Sequence, residues 1–252
     1  MKTSWKLNLL GLACLSATSG TVLAQSSAQA APQSSVTVFG VLDLGILSQT
    51  NVANPALGYL PNPGNKGTLL ALKDGGEGQS YWGIKGDEDL GGGLKVDFNL
   101  QGNFQSNTGV AGGPNGSGTS SIFNQQANVG LSGSAGSIEL GRVVSPIYFA
   151  FASTDVRAGS YFGSTLTALV GVNSATGAFS GGNSNGAIGT IYNDNAIVYT
   201  TPSYQGLVGK LEYVVGGVAG NSSALRQEAA TLTYDANNLR LDALVYNGND
   251  DG

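Results

Sequence analysis

The side chains that could take part in chemistry are few, and almost all of them are carboxylates, lysines or arginines. Only 11% of the 252 residues are charged, the net charge is −5, histidine is absent and the single cysteine is Cys14. These absences exclude serine–histidine–aspartate and cysteine–histidine catalysis, histidine-ligated metals, zinc clusters and an internal disulfide. We therefore predict that the chain is not an enzyme and that it uses no metal or cofactor.

The charged residues that remain alternate with apolar ones along the chain. From Leu94 to Gln101, Leu, Val, Phe and Leu alternate with Lys, Asp, Asn and Gln. This alternation is typical of a strand with one apolar and one polar face. The same parity places four basic and four acidic residues on polar strand faces, which suits contact with water and ions: Asp43, Lys85, Lys95, Asp97, Lys210, Glu212, Arg240 and Asp242.

These residues need strands to position them, and the sequence predicts nine. The strands lie at about 36–46, 80–87, 94–104, 124–131, 137–143, 195–201, 207–216, 225–234 and 239–247. Short turns rich in Gly, Asn, Asp and Ser alternate with long connections at about 47–79, 106–122 and 143–194, and a modest one near 217–223. In an up-and-down sheet, this order places every tight turn at one end and every long connection at the other.

Two architectures fit this pattern. A transmembrane barrel has short turns on one rim and long loops on the other, and it closes because strands in lipid must satisfy every backbone group through their neighbours. A soluble antiparallel sheet alternates in the same way. The 40 glycines and the lack of cysteine after Cys14 favour the barrel modestly.

The N-terminus reads as a targeting segment. Lys2 and Lys6 precede an apolar stretch and then small and polar residues, as in a secretory signal peptide over residues 1–24. Cleavage after Ala30 is an alternative site. A membrane anchor and a lipoprotein acylated at Cys14 are alternatives, but the stretch is short for an anchor and the residues before Cys14 do not match the lipoprotein pattern. The remaining chain, 25–252, is then one β-domain.

Five motifs, in order along the chain, resemble the strands of Gram-negative general porins of the beta-proteobacterial type. One Leu-Gly-Arg would mean little, but five collinear matches over residues 35 to about 215 are specific. The motifs are Ser35 to Asp43, Tyr81 to Lys95, Phe123 to Leu131, Ile138 to Arg142, and Tyr199 to Gly206.

This resemblance implies an antiparallel sixteen-stranded transmembrane β-barrel that works as a homotrimer in the outer membrane. Such a protein contacts lipid and lipopolysaccharide and passes ions and small hydrophilic solutes by passive diffusion; nothing suggests nucleic acid. The third external loop, here 143–194, is expected to fold into the pore opposite basic wall residues. The expected constriction and lining residues are Lys85, Arg142, Asp155, Arg157, Tyr81, Asp43, Lys95 and Asp97.

One position departs from the family pattern, and another matches it with an awkward parity: Arg142 matches the arginine that closes the fifth-strand motif. Tyr81 stands where many members have arginine, so one wall charge is missing. Arg142 has the same parity as the apolar Ile138 and Leu140, which requires a bulge at Gly141 or a position beyond the regular strand.

Nine strands do not suit a closed barrel, since bacterial single-chain barrels have an even number of strands and an odd number leaves an open edge. We therefore expect the N-terminal part of a longer protein.

Two other classes of protein compete with a porin, and the first of them shares the glycine-rich alternating strands. An adhesin or autotransporter-like surface protein would show stacked repeats, and a secreted carbohydrate-binding or hydrolytic β-protein would need paired carboxylates in one cleft.

Overall fold

The computed structural model describes residues 34–53, 66–112, 121–160 and 191–249. Within these ranges the chain forms eleven strands and one helix. They are β1 (Ser35–Val41), β2 (Leu44–Ala53), β3 (Lys66–Asp74), β4 (Ser80–Gly91), β5 (Leu94–Phe104), β6 (Gln126–Gly133), β7 (Gly136–Val144), α1 (Pro146–Thr154), β8 (Tyr192–Thr200), β9 (Leu207–Val214), β10 (Gln227–Ala236) and β11 (Leu239–Gly248). The predicted signal peptide and residues 161–190 of the predicted third loop lie outside the described residues.

Nine strands form one antiparallel sheet in the order β1-β4-β5-β6-β7-β8-β9-β10-β11. From β4 onward each strand pairs with the next along the chain, which confirms the predicted all-β antiparallel, up-and-down arrangement. Tight turns join β4 to β5, β6 to β7, β8 to β9 and β10 to β11. These turns mark the tight-turn end of the sheet, and the longer connections mark the opposite, long-loop end.

The two faces of this sheet differ in polarity. The outer face carries apolar side chains that lie in the open, with exposed fractions between 45% and 73%: Val38, Val129, Leu140, Leu211, Leu232 and Val245. The inner face carries charged and amide side chains, including Lys85, Asn99, Asn128 and Glu139, which line one recess. An apolar face that no element of the described ranges covers suits a lipid environment, and a polar face suits water.

The first predicted strand, 36–46, is wrong as a single element, and so is the loop predicted at 47–79. The chain breaks at Leu42 and Asp43 into β1 and β2, and β2 pairs only with β3 in a separate two-stranded sheet. At the break, the Asp43 N–H donates to Ser80 Oγ (2.9 Å), and the Asp43 carbonyl accepts from Ser106 Oγ (2.9 Å). Side chains replace the ladder there, so the chain can leave the nine-stranded sheet.

Helix α1 follows β7 and was not predicted. The Ser145 hydroxyl accepts a hydrogen bond from the Ile147 N–H, and Pro146 occupies the first turn, both favourable at a helix N-terminus. Ile147 packs against Ala229 and Leu244 on the inner face of β10 and β11. The helix therefore lies on the polar side of the sheet. None of the helices in the described ranges has the length and apolar character needed to cross a membrane.

Strand β5 offers a direct test of the two faces, because Phe98 and Asn99 are neighbours that point to opposite sides. In the complete protein, Phe98→Lys places a charge on the outer face and should cost roughly 2–4 kcal/mol of folding free energy in a bilayer. Asn99→Lys should change it little. Reversible denaturant unfolding in lipid vesicles measures both, and Phe98→Leu controls for the loss of the ring. Equal costs for the two lysine variants would contradict this assignment of faces.

Candidate functional site

A recess of about 350 Å³ lies on the inner face of β1 and β4–β7. Lys85 reaches it from β4, and its ammonium nitrogen lies 5.3 Å above the centroid of the Phe39 ring. The Tyr81 ring contacts the same Phe39 ring edge-on at 6.2 Å between centroids. In the described part of the chain Lys85 makes no ion pair. Its ammonium group faces the recess and makes a cation–π contact with the Phe39 ring.

Three carboxylates, Asp87, Asp97 and Glu139, line the same recess on the side of the tight-turn end. Lys85 pairs in register with Asn99, which makes Asp97 its diagonal neighbour, and such neighbours lie about 7–8 Å apart. Gly130 makes room for Asp97, because a Cβ there would lie 2.6 Å from Asp97 Oδ1. The basic group of Lys85 and the carboxylates of Asp87 and Asp97 therefore lie at two different heights along the strands of the recess. Lys95 lies lower still, near the β4–β5 turn.

Arg142 stands beside an irregularity in the sheet. The pairing of β7 with β8 shifts between Gly141 and Val143, and the extra residue is on β8, opposite the bulge that was expected at Gly141 of β7. Gly141 has a φ of +126°, a conformation that other residues rarely adopt. The Arg142 guanidinium bonds Asp194 Oδ1 at 2.7 Å and the Asn124 carbonyl at 2.9 Å. It also lies 5.4 Å from the Tyr192 ring centroid.

The register brings Lys85 and Arg142 to a similar height. Lys85, Asn99, Asn128 and Gly141 form one row across β4 to β7. Because adjacent strands lie about 4.8 Å apart, the row spans about 14 Å. The two basic residues predicted for the wall thus belong to one belt of the inner face.

Asp155 and Arg157 follow α1 directly. Asp155 ends the helix, and its carboxylate accepts a hydrogen bond from the Gly159 N–H at 2.8 Å. Burial is the main cause that raises the pKa of Tyr148 on α1, and the Asp155 carboxylate adds to the effect. Arg157 makes an ion pair with Glu77 at 2.9 Å, which joins this segment to the connection between β3 and β4.

Asp43 lies at the break between β1 and β2, and its carboxylate braces that same connection. One of its oxygens, Oδ2, accepts from the N–H groups of Glu77 (2.7 Å) and Gly78 (3.0 Å). This geometry gives Asp43 a bracing role at the long-loop end and places it apart from the recess around Lys85.

The structure thus groups some of the predicted residues and separates others. Lys85 and Asp97 line the recess, and Tyr81 contacts the Phe39 ring that lies under Lys85. Arg142 lies beside the row formed by Lys85, Asn99, Asn128 and Gly141, and Asp155 and Arg157 lie on the segment after α1. Two partners were not predicted for the site, Glu77 and Glu139, whereas Asp194 lies at the end of the predicted third loop. The parity of β7 could have indicated Glu139, whereas nothing local in the sequence pairs Arg157 with Glu77, which is 80 positions away.

The arrangement can bind and orient ions or dipolar solutes. Among the described residues, no set of three or more Asp, Glu, Cys or His side chains could hold a metal ion. A two-faced antiparallel sheet, with an exposed apolar outer face and a polar inner face, is typical of the wall of a transmembrane β-barrel.

The chain belongs to the Gram-negative porin family, whose model matches residues 11–252. It is 34% identical over 201 residues to outer membrane porin protein 32 of Delftia acidovorans, covering 80% of this chain and 47% of that protein. It is 31% identical over 194 residues to an outer membrane porin protein of Bordetella pertussis, covering 73% of this chain and 44% of that protein. The chain therefore spans about half the length of these relatives.

Solved structures agree in fold. An anion-selective porin from Comamonas acidovorans superposes with a TM-score of 0.64 at 26% identity, covering 86% of this chain and 59% of that one. OmpT of Vibrio cholerae superposes with a TM-score of 0.52 at 11% identity, covering 86% of this chain and 50% of that one. The family model and the two relatives confirm the family resemblance carried by the strand motifs.

Gly141 offers a test of the local geometry beside Arg142. In the complete protein, Gly141→Ala should cost at least about 1–2 kcal/mol of folding free energy, because the backbone is left-handed there. A Cβ would also lie 2.3 Å from the Ala127 carbonyl oxygen. Gly209→Ala is the matched control, since a Cβ there meets only ordinary contacts, the nearest at 3.4 Å. Denaturant unfolding measures both, and equal stability of the two variants would contradict the strained geometry.

Proposed function

We propose that the complete protein forms a water-filled outer-membrane channel for the passive diffusion of ions and small hydrophilic solutes. The observation that carries this proposal is the polarity of the nine-stranded sheet, whose exposed apolar outer face suits lipid and whose charged inner face suits water. In the complete protein, further strands close the sheet into a barrel, because unpaired backbone groups in lipid cost several kcal/mol each. The family resemblance implies sixteen strands in total.

We further propose that three such barrels assemble as a homotrimer, in contact with lipid and lipopolysaccharide. Family membership supports this assembly. The signal-peptide pattern at residues 1–24 supports export to the outer membrane.

The constriction, in this proposal, forms where the segment after β7 folds against the inner face. Lys85, Tyr81 and Arg142 line the wall, Asp155 and Arg157 lie on the inward segment, and Asp97 and Lys95 line the path toward the tight-turn end. The packing of α1 on the inner face supports this arrangement.

Ion selectivity is expected to be weak. The similarity to a solved anion-selective porin favours anions. Against that preference, Asp97 and Glu139 share the recess with Lys85, and the Arg142 charge is already paired with Asp194.

Lys85 provides the sharpest test of this constriction. A unit charge about 4 Å from a passing ion contributes roughly 1 kcal/mol even in water, so Lys85→Glu should lower the anion-to-cation permeability ratio by about fivefold or more. Asp155→Asn should shift the ratio toward anions by a smaller factor. The zero-current potential of the complete protein in planar bilayers under a salt gradient measures both shifts.

The matched control for this test is Lys95→Glu. It makes the same charge change on the same inner face, but near the β4–β5 turn, and should shift the potential much less. If Lys85→Glu and Asp155→Asn both keep the wild-type potential and conductance, the constriction assignment is wrong.

The location and assembly can be tested separately. The complete protein should fractionate with the outer membrane and run as a trimer that dissociates on heating, because a closed barrel with an apolar belt is stable only in lipid or detergent. Gel mobility before and after heating measures the assembly. Recovery of folded protein in the soluble periplasmic fraction would contradict the channel proposal.

A further inference from the structure

A buried carboxylate on the inner face of β9 contacts both ends of the long connection between β7 and β8. Glu212 is only 4% exposed. Its Oε2 accepts a hydrogen bond from Ser145 Oγ at 3.3 Å, and its Oε1 accepts one from Asn193 Nδ2 at 3.0 Å. Ser145 and Asn193 are themselves 2% and 3% exposed, so these contacts are shielded from water.

The two partners of Glu212 lie where the chain leaves and rejoins the sheet. Ser145 follows β7 directly and begins α1, and Asn193 is the second residue of β8. The Ser145 N–H also donates to the Ile191 carbonyl at 2.8 Å, which closes the base of the connection. The Glu212 carboxylate therefore reaches across β8 and holds both ends of this connection.

The same serine links Glu212 to the helix. Ser145 Oγ accepts the N–H of Ile147 at 3.3 Å while it donates to Glu212, so one hydroxyl serves the helix and the carboxylate together. Ile147 then anchors the first turn of α1 against Ala229 on β10.

A carboxylate in this position needs a reason, because its immediate surroundings are apolar. Val143, Ala196, Val198 and Val214 form a buried cluster on the inner face of β7 to β9, and Val198 is the register partner of Glu212. Burial of a charged group is unfavourable unless hydrogen bonds compensate it. The two donors at the ends of the connection provide that compensation, so the carboxylate and the ends of the connection stabilise each other.

We propose that Glu212 is a positioning residue that holds the two described ends of the connection between β7 and β8, and with them α1, against the channel wall, and thereby sets the open cross-section of the pore. The effect on the pore rests on the channel function proposed above. The contact itself does not depend on that function. Glu212 acts through Ser145 and Asn193, because the residue is buried and its carboxylate bonds both of them.

The experiment combines a spin label with single-channel recording in the complete protein. The label is attached at Val156, two residues after α1, as Val156→Cys with the other cysteines replaced. The Val156 side chain is 99% exposed, so the label removes no packing contact. Glu212→Ala removes two hydrogen bonds to a charged group and should raise the detached population of this segment by about tenfold or more. The label should become more mobile, and the open-channel current should fluctuate between levels.

The control and the rescue use the same inner face. Glu139 lies in the same register row as Glu212, with Val198 of β8 between them, so Glu139→Gln removes a matched carboxylate away from the ends of the connection. This control should leave label mobility unchanged. Glu212→Gln should loosen the segment, because an amide cannot accept from both donors through equivalent oxygens. Combining it with Asn193→Asp restores a donor–acceptor pair and should return mobility and current noise toward wild type.

Each outcome bears on the proposal. Loosening in Glu212→Ala or Glu212→Gln, none in Glu139→Gln, and recovery in the exchanged pair would support it. Wild-type mobility in both Glu212 variants, an equal effect of Glu139→Gln, or no recovery in the exchanged pair would overturn it. If Glu212→Ala does not assemble, Glu212→Gln and the exchanged pair decide alone. A wild-type protein without conductance would contradict the channel function, while the label would still test the contact.

Discussion

The alternation of side chains across a pleated sheet is the constraint on which the rest of this structure depends. Because successive residues point to opposite faces, the register of each strand decides which side chains meet water and which meet an apolar environment. Nine strands keep one consistent parity, so Lys85, Asn99 and Asn128 meet on one face while Val38 and Val129 point to the other. A slip of one residue in a single strand would exchange the two environments for that whole strand.

The functional features lie where the sheet departs from this regularity. The break at Asp43 sends the chain out of the sheet, and the carboxylate freed there braces the β3–β4 connection. Beside the bulge on β8, and directly after Gly141 with its φ of +126°, Arg142 contacts Asp194 and the Tyr192 ring, although its parity matches that of apolar neighbours. Regular pairing thus builds the wall, and its interruptions place individual charges upon it.

Both polar and apolar contacts hold the segment after β7, which includes α1, against the inner face of the sheet. Ile147 and Ala229 supply the apolar contact under α1, and Glu212 supplies a polar contact at both ends of the connection. The Arg157–Glu77 pair is more exposed, at 42% and 78% of its two side chains, and exposed pairs contribute little to stability. The buried carboxylate is therefore the more effective anchor of the two.

The sequence by itself determined the strand order, the two faces and the family, because alternation and turn residues are local signals and five strand motifs occur in order. It also placed Lys85 and Asp97 on one face through parity alone. It did not predict α1, although Ser145 and Pro146 are recognisable start signals, and it joined β1 to β2 because the hydrogen bonds that break them come from Ser80 and Ser106. Only the tertiary structure decided the pairs Arg142–Asp194 and Arg157–Glu77 and the burial of Glu212. Those contacts join residues far apart in the chain, and only the register and the path of the long connection bring them together.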